Sequence, residues 1–591
     1  MKRHLPLMLL LGVFPALILV VGLWRGAYSA TPHDIPADAP RHYAFYADKG
    51  IYGNIEQRDY APKLHEQIYG GIVSHHLLAG NEIGEFFAEL RDRKIKTVVI
   101  VGPNHYGVGS GSVLASALPY ETPWGVVAPD EQIITTLVDR GVLAVDETPF
   151  TKEHSISALV SYVAYNIPDA HIVPIIIRGG TDVRALGRLS SALDEALPDD
   201  AVVIASVDFS HHLNRTSALF HDDLSVSAIA NADIVRVRKA EIDSPASVEV
   251  LLRYLKLRGA EAIHEKRVNA ADLFVDPSYA DVTSYLFAHF TKGLPRQSRA
   301  VTTLNFGDLM LDRGVRAFTD KGGDPFLHIR GVEGNFLKGV DFIVANLEGP
   351  ITNNTVCQQK AYSFRFDPDT AELLHREGFD AVNLGNNHSN DCFRKGFLDT
   401  RRYLEEAGVG AFGSHRVEES FITRKVGDTS VAFLGIDETA SSDEDLELFY
   451  GKISELHKTN EHIIVDIHWG FEYTGEPSPR QVVIGHRLIE SGTDVVIGHH
   501  PHVVQTIEQY KGGTIFYSLG NFIFDQTTKE TKQGYGVGTV YEDGKFHFYL
   551  FPYNIKSFQP TLMPNAEMKE FCDTILKNLA PTDTCQFHTG G

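Results

Sequence analysis

Short apolar runs alternate with helical patterns along most of the chain. In the first half, strand-like runs span residues 96–101, 172–177 and 202–206, and a helical pattern spans 183–196. In the second half such runs recur at 301–306, 342–346, 381–384, 431–435, 463–467, 495–497, 515–518 and 522–524. Strands that alternate with helices are typical of layered α/β domains. The pattern therefore predicts an α/β fold in both halves.

A polar break at residues 293–300 separates the two halves. A chain of 591 residues is too long for a single hydrophobic core, so two or more domains are expected. We place the first domain at 66–292, a linker at 293–300 and the second domain at 301–555. Residues 31–65 have weak periodicity and are predicted to be a juxtamembrane lead, and residues 556–591 are predicted to be a short C-terminal cap.

The N-terminus carries Lys2 and Arg3 in front of an uncharged apolar run over residues 5–24. That run is long enough to span a bilayer. The small-x-small segment Ala27-Tyr28-Ser29 offers a cleavage site, so residues 1–30 are predicted to be a signal anchor or a cleaved signal peptide. The basic residues favour an N-terminus inside the cell. We therefore expect a membrane anchor with extracytoplasmic domains, or secretion after cleavage.

Charge and cysteine content narrow the function classes. The chain has 54 Lys and Arg against 76 Asp and Glu, a net charge of −22, which argues against a nucleic-acid binder. Its four cysteines permit disulfides in an exported protein. Proximity in sequence favours disulfides between Cys357 and Cys392 and between Cys572 and Cys585. The sequence leaves open the alternative that these cysteines are free thiols.

The predicted strands of the second half end in residue types that bind metals. These ends are Phe306-Gly307-Asp308, Asn346-Leu347-Glu348, Gly385-Asn386-Asn387-His388, Ile467-His468 and Gly498-His499-His500-Pro501-His502. Ligand residues usually follow the carboxyl ends of strands in open α/β sheets. Carboxylates, an amide oxygen and imidazoles together suit Mn, Fe, Zn or Mg. In two-metal hydrolysis a carboxylate bridges the ions, and an adjacent histidine such as His388 can protonate a leaving group.

The order of these motifs resembles that of the capsule-synthesis CapA (PGA-cap) family of the calcineurin-like metallophosphoesterase superfamily. Further matches are Phe364-Arg365-Phe366, Asn383 to Asp391, His468 to Tyr473 and Ser518 to Phe522. The resemblance covers about residues 301–526. It implies a metallophosphoesterase-like α/β sandwich, divalent metal ions and a role in capsule or poly-γ-glutamate metabolism.

The same resemblance implies roles for individual residues. The implied metal ligands are Asp308, Glu348, Asn387, His468, His500 and His502. The implied catalytic residues are His388, Asp391 and Glu472, and the cations nearest to an anionic substrate are Arg365 and Arg394. The first motif departs from the superfamily, because Asp308-Leu309-Met310 lacks the histidine of the usual Asp-x-His. This departure weakens the expectation of phosphatase activity more than it weakens the resemblance to the family.

The first half carries a second set of histidine motifs. They are Ser74-His75-His76, Gly102-Pro103-Asn104-His105, Glu153-His154-Ser155-Ile156 and Asp208-Phe209-Ser210-His211-His212. With Thr122-Pro123-Trp124-Gly125 they resemble the Memo-like family (AmmeMemoRadiSam system protein B), which is related in fold to class III extradiol dioxygenases. The resemblance covers about residues 70–290. It implies a second possible metal site formed by His75, His105, Asp208, His211 and Asp243.

This first-half resemblance has two departures. The usual Pro-His-Ala-Gly reads Ser74-His75-His76-Leu77, and the family's Cys-Gly ligand segment is absent. Its place falls near Asp243-Ser244-Pro245, which offers an oxygen donor instead of a thiolate and changes the metal preference. A binding domain with a vestigial pocket is the alternative to an active site.

The sequence thus predicts an exported, membrane-tethered fusion with a metal-dependent hydrolase or transferase site. The expected partners are an anionic envelope polymer or a phosphoester substrate, the membrane and proteins of a polymer-synthesis complex, with no nucleic acid. One alternative is a non-catalytic assembly or anchoring subunit of a polymer-export complex. Another is a redox or dioxygenase-type activity in the first half.

Overall fold

The computed structural model describes most of the chain. The described residues are 38–53, 55, 63–274, 281–298, 300–577, 579 and 585–589. Within them, no helix is both long enough and apolar enough to cross a bilayer. The anchor or signal predicted for residues 1–30 lies outside the described residues.

The first domain is built from a large mixed sheet with helices on both faces. Its strands are β1 (His42–Tyr43), β2 (Ile68–Val73), β3 (Thr97–Pro103), β4 (Val113–Ala115), β5 (Tyr120–Thr122), β6 (Gly125–Val127), β7 (Ala144–Val145), β8 (His171–Ile177), β9 (Ala201–Ser206), β10 (Phe209–Leu213), β11 (Ala262–Asn269) and β12 (Val282–Thr291). Its helices are α1 (Gly80–Ala88), α2 (Glu131–Asp139), α3 (Glu147–Phe150), α4 (His154–Ser157), α5 (Val160–Asn166), α6 (Val183–Ala196), α7 (Arg215–Ala230), α8 (Ile234–Val237), α9 (Pro245–Arg258) and α10 (Ala270–Phe274).

The nine-stranded sheet of this domain runs in the order β10-β12-β2-β9-β3-β8-β4-β7, with β11 beside β12. The four central strands β2, β9, β3 and β8 are parallel, so their carboxyl ends meet at one edge. All seven residues of β3 are buried, as expected for a parallel strand covered on both faces. Apolar cores with α2, α6 and α9 on one face and α1 and α5 on the other provide this cover.

The described part of the predicted lead packs on the first domain. His42 and Tyr43 pair in parallel with Tyr120 and Glu121, and the Tyr52 side chain is fully buried. Residues 38–53 therefore fold as part of this domain, although their sequence shows little periodicity.

The second domain is a sandwich of two sheets. Its strands are β13 (Val301–Leu309), β14 (Phe342–Leu347), β15 (Ala381–Asn383), β16 (Gly410–Phe412), β17 (Phe421–Val426), β18 (Thr429–Asp437), β19 (His462–His468), β20 (Val495–His499), β21 (Ile507–Tyr510), β22 (Gly513–Phe516), β23 (Asn521–Ile523), β24 (Gln533–Glu542), β25 (Lys545–Lys556), β26 (Gln559–Leu562) and β27 (Gln586–His588). Its helices are α11 (Arg313–Thr319), α12 (Thr370–Arg376), α13 (Phe393–Ala407), α14 (Asp443–Leu456), α15 (Pro479–Glu490) and α16 (Asn565–Ile575).

One sheet of the sandwich runs β16-β15-β14-β13-β24-β25-β26, with β23 beside β13 and β27 beside β25. The other runs β17-β18-β19-β20-β22-β21. Side chains such as Val344, Phe433 and Phe516 form a common core between the sheets. Strand β13 is parallel to β14 in one sheet, and β19 is parallel to β20 in the other. The carboxyl ends of these four strands bring polar residues together at one end of the sandwich. Both halves are therefore mixed α/β domains, as the pattern predicts.

The C-terminal tail is a structural part of this sandwich. Strands β26 and β27 both pair with β25, and α16 packs on the inner core. The predicted short cap therefore extends the sheet. Two disulfides, Cys357–Cys392 and Cys572–Cys585, confirm the pairing expected from sequence proximity.

Candidate metal centres

A buried group of two carboxylates and one imidazole lies at the end of the second-domain sandwich. Asp308, Glu348 and His502 each offer a ligand atom, and these atoms lie within 4.8 Å of one another. His502 Nδ1 is 3.1 Å from Asp308 Oδ2, and His502 Nε2 is 3.6 Å from Glu348 Oε1. The structure thus brings together three of the six ligands predicted for this domain.

Glu348 supplies the test of whether these residues fit a metal ion. Its side chain is fully buried, and neither carboxylate oxygen has a hydrogen-bond partner among the residues that the structure describes. Burial, and next the charge of Asp308, raise the pKa of Glu348 well above its usual range. Two adjacent buried carboxylates are costly unless a cation compensates them. The donor set therefore fits a divalent cation.

His468 and His500 lie directly beside this group. His468 Nε2 is 3.0 Å from His500 Nδ1. The Asn346 amide donates a 2.8 Å hydrogen bond to Asp308 and lies 3.4 Å from His468 Nδ1. Burial lowers the pKa of His468 well below its usual value and that of His500 to about 4. Both rings are therefore neutral at pH 7, which is the state in which imidazole binds metals.

The backbone of the clustered histidines is strained. His500 and His502 have φ angles of 92° and 57°, in the left-handed region that side chains other than glycine rarely adopt. Such strain is typical of functional sites, where the surrounding structure must hold it. His499, which was not among the predicted ligands, lies between two carboxylates: its Nε2 is 3.1 Å from Asp466 Oδ1 and its Nδ1 is 3.6 Å from Asp308 Oδ1.

His388 approaches the same group from the α13 side. Its Nδ1 is 2.8 Å from Asp391 Oδ2, and its Nε2 is 3.8 Å from Glu348 Oε1. Asp391 also forms an ion pair with Lys360 Nζ at 2.5 Å and accepts a hydrogen bond from the Phe364 amide at 2.7 Å. Burial lowers the pKa of His388, and Asp391 opposes this shift. With Nδ1 held by Asp391, Nε2 is the atom free to exchange a proton in the site.

The two remaining predictions for this centre, Asn387 and Glu472, differ in position. The Asn387 side chain carries a buried Oδ1 without a hydrogen-bond partner among the described residues, so it is available as a ligand. Glu472 is exposed, and its charge acts on Glu348, His500 and His502. It therefore lies at the rim.

The predicted substrate-binding arginines are engaged elsewhere. Arg394 makes a two-pronged ion pair with Glu419, and Arg365 contacts the Thr352 carbonyl at 3.2 Å. An anion could bind Arg394 only at the expense of that ion pair. Sequence reasoning missed Lys360, which contacts Asp391. The one available signal was its place between Cys357 and the Phe364-Arg365-Phe366 motif.

A second group lies at the carboxyl edge of the first-domain sheet. His75 follows β2, His105 follows β3 and Asp208 follows β9, and Asp243 lies just before α9. His75 Nε2 is 3.3 Å from Asp243 Oδ2 and 3.5 Å from Asp208 Oδ2. His105 Nε2 is 3.7 Å from Asp243 Oδ2. Asp243 thus occupies the place that the sequence register assigns to the missing cysteine.

His154 belongs to this group, although it was not among the predicted ligands. Ligand atoms of His75, His105 and His154 lie within 4.8 Å of one another. The rings of His105 and His154 stack with centroids 4.3 Å apart. The Glu153-His154 motif was the sequence feature that could have identified His154 as a ligand. The predicted ligand His211 lies outside the groups found among the described residues, on the wall of the adjoining cavity.

Electrostatics in the first-domain group also favour a cation. Both oxygens of Asp243 are buried and have no hydrogen-bond partner in the described part of the chain. Burial disfavours the charge on His105, but the nearby Asp243 carboxylate and the hydrogen-bonded Glu153 carboxylate outweigh it and raise the pKa of His105 to about 10. Burial and the neighbouring histidines lower the pKa of His154 to about 4. Mixed imidazole and carboxylate donors suit Fe, Mn or Zn.

Comparisons with known proteins match the two halves of the chain separately. The family model described as bacterial capsule synthesis protein PGA_cap matches residues 302–526, and the model described as Memo-like protein matches residues 55–264. The capsule biosynthesis protein CapA of Bacillus anthracis is 31% identical over 46% of this chain and 71% of its own length. The PGA biosynthesis protein CapA of Bacillus subtilis (strain 168) is 30% identical over 46% of this chain and 76% of its own length.

The first half has relatives of its own. A MEMO1 family protein of Caldivirga maquilingensis is 34% identical over 28% of this chain and 57% of its own length. The chain thus spans a little over half of that relative. Both resemblances drawn from the motifs are confirmed by these matches.

Proposed function

The chain belongs to the CapA family of capsule synthesis proteins and joins its CapA domain to a Memo-like domain, and on this premise we propose that it acts in capsule or poly-γ-glutamate metabolism. In this proposal the CapA domain is a metal-dependent hydrolase or transferase. The printed functions of the two CapA relatives support the polymer class. The proposed metal-dependent chemistry is supported by the geometry of the second-domain metal centre.

The observation that carries the enzyme proposal is the unpartnered, fully buried Glu348 beside Asp308 and His502. These three side chains, with His468, His500 and Asn387 next to them, would hold divalent metal. A divalent cation bound there supplies Lewis-acid polarisation of a substrate oxygen. His388 Nε2 exchanges a proton with the substrate, because Asp391 fixes Nδ1. Burial of the group limits access of bulk water.

Metal analysis tests this proposal against a non-catalytic assembly subunit. We expect the purified full-length protein to contain stoichiometric Mn, Fe or Zn. The double variant His500→Ala/His502→Ala should lose it. The His388→Ala variant, which removes no predicted ligand, should retain the metal and lose turnover on a panel of phosphodiester and γ-glutamyl substrates. Absence of bound metal in the wild-type protein would favour the assembly role.

The first-domain group favours a second candidate function, a metal-dependent redox or dioxygenase-type activity. Its support is the mixture of three imidazoles and two carboxylates around His75. This candidate predicts a separate iron or copper site. That metal should disappear in His105→Ala while the metal of the second domain stays. Loss of both metals together, or of neither, would contradict it.

We also propose that both domains lie outside the cytoplasm, tethered by the N-terminal segment. The apolar run over residues 5–24 and the two disulfides support this location, because disulfides persist in oxidising compartments. An alkaline phosphatase reporter fused to the C-terminus should be active in cells. An inactive reporter, with an active cytoplasmic reporter at the same position, would exclude export.

A further inference from the structure

A cavity of about 840 Å³ lies in front of the first-domain group and is lined by both domains. The first domain contributes His105, Asp243 and Arg178 to its lining. The second domain contributes Asn335 and Lys338. A pocket of this size can hold a small ligand. Its walls show that the pocket of the first domain is incomplete without the second.

The second-domain residues that reach the cavity belong to a segment, residues 335–341, that leads into β14. The Asn335 amide donates a 2.8 Å hydrogen bond to the His211 carbonyl, and Lys338 Nζ lies 3.0 Å from Glu241 Oε2. At the end of the segment Asp341 forms a 2.9 Å ion pair with Arg236, and both side chains are nearly buried. The 335–341 segment is therefore fixed to the first domain at both ends.

Gly339 shows how closely the two backbones approach. It has a φ angle of 77°, in the left-handed region. A Cβ atom at this position would lie 3.2 Å from both the Cα of Ala240 and the carbonyl oxygen of Lys239. Glycine is the residue that adopts this conformation without cost and leaves room for a close approach. The contact between the 335–341 segment and residues 239–241 is thus a tightly fitted one.

This contact reaches the metal-binding group through one short stretch of chain. Glu241, which Lys338 holds, is two residues before Asp243. The Asp243 amide in turn donates a 3.0 Å hydrogen bond to the Asp208 carbonyl. The stretch that carries Asp243 is therefore held by the first domain on one side and by Lys338 on the other.

The polar groups of the cavity indicate what it binds. At the floor, both carboxylate oxygens of Asp243 are buried and no described residue gives them a hydrogen bond, which favours a cation. On the wall, the buried Nε of Arg178 has no acceptor among the described residues, and one Nη contacts only the Gly109 carbonyl. The Lys338 side chain is 41% exposed. An anionic oxygen group on a ligand supplies the acceptor that Arg178 Nε lacks. The Lys338 ammonium, which contacts Glu241 Oε2 at 3.0 Å and Asn335 Oδ1 at 3.2 Å, has a third N–H with which it can donate to the same group.

We propose that this cavity binds a small ligand bearing a carboxylate or phosphate group, together with a divalent cation, and that Lys338 of the second domain determines its affinity. The ligand's oxyanion lies between Arg178 and Lys338, and the cation lies at His75, His105 and Asp243. The inference concerns ligand binding by the Memo-like domain. It holds whether or not the CapA domain is catalytic.

The test measures binding to the full-length chain. The His500→Ala/His502→Ala background removes the second-domain centre, so that titrated ligand reports on the first domain. With Mn(II) present, inorganic phosphate and succinate are titrated separately by calorimetry, and comparison of the two distinguishes the phosphate class from the carboxylate class. We expect at least one probe to bind. Its affinity should fall by about tenfold or more in Lys338→Gln, the scale of one charge-assisted hydrogen bond.

Matched variants make the outcome decisive. Lys321→Gln changes an exposed lysine of the same domain that does not line the cavity and should leave affinity unchanged. Arg178→Gln should weaken binding as Lys338→Gln does, and Lys338→Arg should restore most of it. Circular dichroism checks folding; if Lys338→Gln unfolds, Arg178→Gln and Lys338→Arg decide. Failure of both probes to bind, or affinities unchanged in Lys338→Gln and Arg178→Gln, would overturn the proposal.

Discussion

The Glu348 carboxylate is buried at the carboxyl end of β14, and its oxygens accept no hydrogen bond from any described residue. Burial, and next the charge of Asp308, raise the pKa of Glu348 well above its usual range, so the metal-free site favours the neutral carboxyl group. A neutral amide of nearly the same shape can replace it at little cost there. What the amide cannot supply is the negative charge that attracts a cation.

We therefore expect Glu348→Gln to leave the thermal midpoint of the metal-free protein within about 2 °C of wild type. The variant should nevertheless lose a class of Mn(II) sites in a calorimetric titration. Glu444→Gln, which changes an exposed carboxylate on α14, is the control and should titrate like wild type. A full complement of sites in Glu348→Gln would show that the second-domain centre does not use this carboxylate.

Motifs at strand ends were predictable from the sequence, whereas contacts between distant loops were not. Asp308, Glu348 and His502 each follow an apolar run, so their convergence follows from parallel strands sharing one edge. Lys338 and Glu241 are paired only because a glycine at 339 allows two backbones to approach. No periodicity or motif marks such a pair. Their contact therefore had to be seen in the fold.

The helix α7 lies between the two domains and is buried on nearly all sides. Thirteen of its sixteen residues are buried, which explains why it lacks a polar face. Asp222 on this helix is fully buried and accepts a hydrogen bond from Ser210 Oγ at 3.0 Å. Burial raises the pKa of Asp222 to about 7 from 3.8. The neutral form is therefore the one that the folded state prefers.

This shift predicts how stability changes with pH. As pH rises from about 4 to about 7, Asp222 ionises in the unfolded chain but not in the folded one, so the folded state loses stability over that window. The Asp222→Asn variant has no ionisable carboxyl group at this position, so it should not lose this stability as pH rises. Relative to wild type, the variant should be more stable at pH 8 than at pH 4 by on the order of 4 kcal/mol, measured by urea unfolding. An equal difference between the two proteins at both pH values would contradict this account.

The loop that carries Lys360 is tied to the start of α13 by the disulfide Cys357–Cys392. The same loop donates from the Gln358 amide to the Asp391 carbonyl at 2.6 Å. Its position over the His388–Asp391 pair therefore depends on a covalent link and on a few hydrogen bonds.

We expect Cys357→Ser/Cys392→Ser to lower the free energy of unfolding by about 2–4 kcal/mol, the usual range for a native disulfide. Turnover by the CapA domain should also fall, because Lys360 no longer holds Asp391. Cys572→Ser/Cys585→Ser is the control, since it should lower stability without changing turnover per folded molecule. Equal turnover in both double variants would show that the position of the Lys360 loop does not affect catalysis at the site.

Strands with a clear run of apolar residues were predicted to within a few residues, and α6 was predicted over its full length. The hairpin of β24 and β25 was not predicted. Glycines at positions 534, 536 and 538 occupy alternate places in β24 and remove the alternation that marks a strand. Close packing requires them: at Gly538 a Cβ atom would lie 2.9 Å from the ring of Phe220 on α7.

The two domains share a continuous hydrophobic core. Phe220 of α7 is fully buried, and its ring lies 5.5 Å from Tyr549 and 5.4 Å from Phe551 of β25. The Tyr549 hydroxyl donates a 2.6 Å hydrogen bond to Asp223. A shared core of this kind couples the unfolding of its two sides.

We accordingly expect one calorimetric unfolding transition for the wild-type chain. Phe220→Ala should cost about 3–5 kcal/mol and separate the transition into two, because it removes the ring that links the halves. Phe274→Ala, an exposed phenylalanine of the first domain, should keep a single transition near the wild-type temperature. Two transitions in the wild-type protein would show that the domains unfold independently.

The close fit at Gly339 and Phe220 has a consequence for the history of this chain. Either half, exchanged by recombination for a homologue shaped to stand alone, would meet a partner face that no longer matches it. A gene carrying only one half would expose apolar side chains now enclosed, inviting aggregation. We therefore expect the two halves to be inherited as a unit, with substitutions at their contact in compatible combinations.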